Sequence, residues 1–181
     1  MLENQQPPAA ARRWLLFAAV CAAALALDLG TKQWVWDTLR PPAGGPVVVW
    51  PRVLELAFAY NEGTAFGVVR EVGERPLWLL LVAALMLVWV TWLVRAPGTR
   101  RAGIVGAAMI VAGTLGNLHD RFFRLDELGH SGVVDFIKVY YPWADPWGAS
   151  WPSFNVADAL LVVGVGLILL WGSRRVGAAK S

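Results

Sequence analysis

Eighteen consecutive residues, Leu77 to Val94, carry no charge, and Arg95, Pro97 and Gly98 close the run. As a helix rising 1.5 Å per residue, such a run approaches the roughly 30 Å hydrocarbon core of a bilayer, and few other environments tolerate it. Three further apolar runs accompany it: Trp14 to Trp36, interrupted by Asp28 and Lys32, then Ala102 to Leu118, then Phe154 to Trp171. Composition agrees, with 57% hydrophobic and 16% charged residues where soluble domains have about 45–50% and 25%. An ordinary soluble globule and a disordered chain are both excluded. The expected fold is a mainly α membrane protein, one domain over residues 1–181, with spans at about 14–36, 77–94, 102–121 and 154–171.

The net charge of +3 does not point to nucleic acid, because the basic residues sit in short clusters beside apolar runs. Arg12 and Arg13, then Arg95, Arg100 and Arg101, then Arg174, Arg175 and Lys180 fall on one side of a four-span chain. The positive-inside rule makes that side cytoplasmic and puts both termini there. Arg12 and Arg13 before Trp14 to Leu27 also resemble the start of an export signal, but the run continues through Asp28 and Lys32 into Trp34 and Trp36, as a retained helix does. The single cysteine, Cys21, lies inside this run and reads as a small buried hydrophobe.

Two longer segments, about 37–76 and 122–153, then face outward. In the first, Leu54, Leu56, Phe58 and Tyr60 alternate with Glu55, Ala57 and Ala59, the period of a strand and the seed of a small extracytoplasmic β-sheet. In the second, Tyr140, Tyr141, Trp143, Trp147 and Trp151 among prolines and glycines suit an interfacial segment at the headgroup level. Gly103, Gly106, Gly113 and Gly116 in the third run, and Gly164 and Gly166 in the fourth, suit close helix contacts.

Counted from the cytoplasmic ends, Asp28, Asn117 and Asp158 each lie roughly 20 Å up a core about 30 Å thick. Polar groups at that depth are costly, and three helices carrying them to one level predict a shared site in the outer leaflet. The bland alternative is that each helix simply ends early. Five motifs argue against it. Asp28 and Lys32 are spaced for an ion pair on one helix face, a structural role. Asn61-Glu62-Gly63 follows the expected strand, Gly116-Asn117-Leu118-His119-Asp120-Arg121 ends the third helix, and Val133-Val134-Asp135-Phe136 sets a carboxylate among apolar residues. Phe154-Asn155-Val156-Ala157-Asp158 opens the fourth helix, where Asn155 can serve as an N-cap.

Together these motifs resemble the lipoprotein signal peptidases, or signal peptidase II, from about Asp28 to Asp158 and in the same order. The resemblance implies a bacterial inner-membrane aspartyl endopeptidase that removes the signal peptide from diacylglyceryl-modified prolipoproteins, cutting on the N-terminal side of the lipidated cysteine. It implies that Asp135 and Asp158 are catalytic. Asn61, Gly63, Asn117, Arg121 and Asn155 become substrate-binding or supporting residues, and Asp28, Lys32 and Asp120 structural ones. The implied partners are the prolipoproteins and membrane lipids, with no cofactor, metal or nucleic acid. His119 and Thr64 stand where that pattern favours an apolar residue and an alanine.

The chemistry points the same way. Hydrolysing an amide takes a base to activate water and an acid to protonate oxygen or nitrogen, and two carboxylates sharing one proton supply both. With two histidines, His119 and His130, and no His-Glu-x-x-His pattern, a zinc site lacks ligands, and His119 reads as an exposed interfacial residue. The competing class is a small ion or proton transporter relaying through Asp28, Asp135 and Asp158. A relay needs polar groups at several depths, yet Leu15 to Leu27, Ile104 to Gly113 and Ala159 to Trp171 are uncharged.

Overall fold

The apolar runs wind into helices in a computed structural model that describes residues 8–42, 44–63, 75–141, 143 and 149–171, with backbone alone for 75–80 and 171. Thr64, Trp147 and the cluster Arg174, Arg175 and Lys180 lie outside the described residues. The helices are α1 (Ala9–Thr38), α2 (Arg75–Arg95), α3 (Arg101–Phe123) and α4 (Val156–Trp171). Proline marks two of the boundaries, Pro41 soon after α1 and Pro97 soon after α2, because its ring and missing N–H do not fit a helix interior. Among the described residues, α1 and α3 are long and apolar enough to cross a membrane. Apolar side chains on the helix surfaces suit a lipid setting, for Leu15 on α1, Val88 on α2 and Leu169 on α4 are each about two-thirds exposed or more.

Glycine brings α3 and α4 together. A Cβ on Gly106 would lie 2.6 Å from the Gly164 carbonyl oxygen, and one on Gly164 would lie 2.7 Å from the Gly106 carbonyl oxygen. Gly113 meets the Ala157 carbonyl oxygen as closely, at 2.5 Å. Gly166 differs from the sequence expectation: nothing lies within 4 Å of its Cβ position, so it makes no such contact. Along this seam Ala24, Ala112 and Leu160 join α1, α3 and α4. Nearer the α2–α3 turn, Val90, Leu93 and Val94 pack on Ala107 and Val111, with Cys21 partly buried against them.

The segments between α1 and α2 and between α3 and α4 build a three-stranded antiparallel sheet in the order β1 (Val47–Trp50), β2 (Leu54–Asn61), β3 (Val133–Val139). Only β2 is visible as alternation in the sequence. β1 follows the proline linker with four apolar residues, all exposed, and β3 buries four successive residues, Val133 to Phe136, so neither shows period two. Leu56, Phe58 and Tyr60 pack with Val35, Trp36, Val134 and Phe136, seating the sheet on the end of α1. Ala59 pairs with Asp135 and Asn61 with Val133, which sets Asn61 diagonal to Asp135 on the same face of the sheet. After β3 the aromatic segment folds back: Tyr140 bridges Ser150 and Ile137 bridges Phe154, delivering the chain to α4. Trp143 and Trp151 stay exposed on this return.

Candidate active site

The first turn of α4 organises the polar centre. Asn155 Oδ1 accepts the Asp158 N–H at 3.0 Å, and Asp158 Oδ2 accepts the Asn155 N–H at 3.1 Å. This is a reciprocal capping box with aspartate in the third position. It leaves the Asn155 amide nitrogen and one Asp158 oxygen for partners outside the helix. That nitrogen donates to Asp135 Oδ1 at 2.7 Å, while Asp158 Oδ1 accepts from Asn117 Nδ2 on α3 at 3.0 Å. Asp135 Oδ2 accepts from Asn61 Nδ2 on β2 at 3.0 Å. Each carboxylate is therefore held by two N–H donors, and Asn155 holds both.

The three amides are fixed in orientation because each oxygen is already engaged. Lys32 Nζ donates to Asn117 Oδ1 at 2.8 Å, the Gly63 N–H to Asn61 Oδ1 at 3.1 Å, and the Asp158 N–H to Asn155 Oδ1. Turning any of them over would set a donor against a donor, so all three present nitrogen to the carboxylates.

Beneath them lies a buried ionic floor. Lys32 Nζ is 2.9 Å from Asp28 Oδ2 and 3.8 Å from Asp120 Oδ2, with all three side chains fully buried. Asp28 Oδ1 accepts the Ala157 N–H at 2.8 Å, placing a carboxylate at the positive end of α4. Asp28 Oδ2 accepts no well-directed hydrogen bond, and the ammonium 2.9 Å away compensates its charge. Asp120 accepts Arg124 Nε at 3.0 Å and the Val134 N–H at 3.1 Å, fastening β3 one residue before Asp135. Gly116 makes room for this floor, since a Cβ there would sit 2.0 Å from Asp28 Oδ2.

Asp135 is 5% exposed. Burial pushes its carboxyl up from 3.8 to about 6; the Asn61 hydrogen bond opposes the shift and the charge of Asp158 adds to it. A carboxyl that holds its proton to near neutrality, beside a second carboxylate, can act as an acid while its neighbour acts as a base.

Comparison with known proteins then decides the family. The model for signal peptidase (SPase) II matches residues 20–173. The chain belongs to the signal peptidase II family. Lipoprotein signal peptidase of Xylella fastidiosa (strain M12) is 35% identical over 166 residues, covering 89% of this chain and 90% of that protein. The Xanthomonas campestris pv. campestris (strain 8004) lipoprotein signal peptidase is 33% identical over 177 residues, 95% of this chain and 96% of that protein. A bacterial membrane enzyme solved by the in meso method at 1.9 Å resolution superposes with a TM-score of 0.65 at 25% identity, covering 84% of this chain and 89% of that one. A second, at 2.3 Å, shares the fold with a TM-score of 0.63 and 23% identity.

Within this signal peptidase II chain, the residues singled out in the sequence separate into layers. Asp135, Asp158, Asn61, Asn117 and Asn155 form one connected cluster, with Asp28, Lys32 and Asp120 below it. Arg121 Nη2 donates to the Gly63 carbonyl at 2.9 Å, tying the turn after β2 to α3. His119 is 42% exposed, with Nδ1 3.5 Å from Asp120 Oδ1.

Arg124 was not among the sequence candidates, yet it is buried, bonds Asp120 and lies 4.9 Å over the Trp36 ring. Its i,i+4 spacing from Asp120 was the available signal. Glu62, Asp126 and His130 bring potential ligand atoms within 4.8 Å of one another. That meeting was not foreseen, and it is a surface group in which His130 lies 3.5 Å from Asp126 and 3.9 Å from Glu62.

Proposed function

We propose that this protein is a membrane-embedded aspartyl endopeptidase that removes the signal peptide from diacylglyceryl-modified bacterial prolipoproteins, cutting on the N-terminal side of the lipidated cysteine. Asp135 and Asp158 are the catalytic pair. The observation that carries the reading is the shared clamp, in which Asn155 bonds Asp135 through its side chain and Asp158 through its backbone N–H.

With its raised proton affinity, Asp135 enters the reaction as the acid. Asp158 takes a proton from water as the oxygen attacks the scissile carbonyl carbon, and Asp135 gives its proton to the carbonyl oxygen. The tetrahedral diol then collapses: the C–N bond breaks, the leaving nitrogen takes the proton from Asp158, and Asp135 recovers its proton from the hydroxyl. Water is consumed and both carboxyl groups return to their starting states.

The membrane arrangement follows as four spans at about 14–36, 77–94, 102–121 and 154–171 in one domain. Both termini are cytoplasmic and the carboxylates lie near the extracytoplasmic face of the inner membrane. Supporting this, the 21-residue α2 is about 31 Å long at 1.5 Å per residue, and exposed Leu115, Val162 and Val163 offer apolar surface beside the site. Acyl chains there contribute about 0.8 kcal/mol per buried methylene, so lipid modification dominates recognition.

The test mixes purified protein in detergent with lipid-modified and unmodified prolipoprotein and follows product formation. Only the modified precursor should be cut, and Asp135→Asn and Asp158→Asn should each abolish turnover, with the double variant no worse than either. Turnover by a folded Asp135→Asn or Asp158→Asn protein sinks the aspartyl mechanism. Reporter fusions near Glu71 and Asp145 should read extracytoplasmic, and a cytoplasmic signal at Glu71 overturns the four-span arrangement.

A further inference from the structure

At the end of the bundle opposite the carboxylates, the starts of α1 and α3 lie side by side around a cavity of about 820 Å³. That is within the roughly 300–1,000 Å³ of small-molecule sites. Among the described residues, the charged groups in its wall are all of one sign: Arg12 and Arg13 from α1, Arg100 at the N-cap of α3 and Arg101 in its first turn. Neither helix has an acidic residue in its first turn, and neither N-cap residue, Pro8 or Arg100, supplies a side-chain capping bond. Two positive helix ends and four guanidinium groups therefore share one space.

Arg13 has a structural task. Its guanidinium donates to the carbonyls of Val94 at 3.1 Å, Ala96 at 2.9 Å, Pro97 at 3.3 Å and Thr99 at 2.9 Å, closing the C-terminal end of α2. Arg12, Arg100 and Arg101 are exposed at the mouth. The wall continues through Leu16 and Ile104, toward the apolar flank where Leu15 is 66% exposed. An anion with a hydrocarbon tail matches both halves. Arginine favours phosphate in particular, because its planar fork bonds two oxygens at once.

We propose that this cavity binds the phosphodiester headgroup of an anionic phospholipid, with Arg100 and Arg101 on the phosphate and an acyl chain along Leu16. The inference rests on the membrane reading of α1 and α3. It depends neither on which side faces the cytoplasm nor on Asp135 and Asp158, since Arg101 and Asn117 are separated by about 24 Å of helix at 1.5 Å per residue.

The full-length protein, purified in detergent, is titrated with phosphatidylglycerol or phosphatidylethanolamine and bound lipid is counted by native mass spectrometry. One phosphatidylglycerol should bind saturably and phosphatidylethanolamine should not. The Arg100→Gln/Arg101→Gln variant should bind it about 25-fold more weakly, at about fivefold per arginine, and Arg100→Lys/Arg101→Lys should recover part of the loss. An unchanged thermal transition shows that the variants are folded.

Equal binding of the two lipids, or undiminished binding in the glutamine variant, overturns the proposal. So does saturable binding of inorganic phosphate without binding of phosphatidylglycerol, which marks a free-oxyanion site. Cleavage of lipid-modified prolipoprotein by the same preparations reads the carboxylate pair separately. Its loss with lipid binding intact counts against the peptidase reading and leaves this one standing.

Discussion

Replacing Asp135 with asparagine separates two effects that the structure makes calculable. The first is charge. The carboxyl of Asp135 is pushed from 3.8 to about 6, chiefly by burial, and a gap of about 2 pH units corresponds to about 3 kcal/mol. Because the folded state holds this proton more tightly than the unfolded chain, stability falls as pH rises from about 4 to about 6, and the full penalty persists above that. Asparagine does not ionise and escapes the loss. The second effect is hydrogen bonding. Asp135 accepts from Asn61 and from Asn155, and an amide can accept from only one of them, at a cost of about 1–3 kcal/mol at every pH.

The variant should thus be the less stable protein at pH 4 and should gain about 3 kcal/mol on the native chain by pH 7, drawing level with it or passing it. Thermal unfolding of both proteins in the same detergent across that range measures the difference. Parallel profiles, with a difference constant to within about 1 kcal/mol, would falsify the claim that Asp135 is a desolvated carboxyl with a raised proton affinity.

Gly116→Ala should destabilise the fold by about 3–5 kcal/mol, because the new methyl group meets Asp28 Oδ2 at 2.0 Å and pushes apart a buried ion pair. An unfolding midpoint unchanged from the native chain rules out that tight fit. Asn155→Ala removes the side-chain donor to Asp135 and the acceptor for the Asp158 N–H. Loss of alignment of about 1 Å should lower kcat about 100-fold with KM little changed, and a purely KM effect contradicts the positioning role. Arg13→Gln takes charged donors from four carbonyls at the end of α2. It should cost about 1.5–3 kcal/mol of stability and leave cleavage of lipid-modified substrate intact; normal stability refutes the clamp.

Much of the helical architecture was legible because hydropathy and length act locally. A run such as Leu77 to Val94 needs no partner to declare itself, and proline at 97 ends it wherever the rest of the chain goes. Asn155 was readable as an N-cap for the same reason, since capping depends on residues three positions apart. The motifs around Asp135 and Asp158 could be recognised as a set, with Asp28 and Lys32 spaced to pair on one helix.

Tertiary structure decided how those pieces meet. Strand β3 had no alternation to announce it, because burial of Val133 to Phe136 on both faces erases the period. Arg124 looked like one more charge after the third helix until Asp120 and Trp36 enclosed it. Gly166 read like Gly164, yet only Gly164 touches the neighbouring backbone, because helix rotation is set by packing and not by the presence of glycine. The roles of the asparagines were equally hidden. A lone amide presents oxygen and nitrogen alike, and only the donors fixed on Oδ1 of Asn61, Asn117 and Asn155, two of them backbone N–H groups and the third Lys32 from another helix, turn all three nitrogens onto the carboxylates.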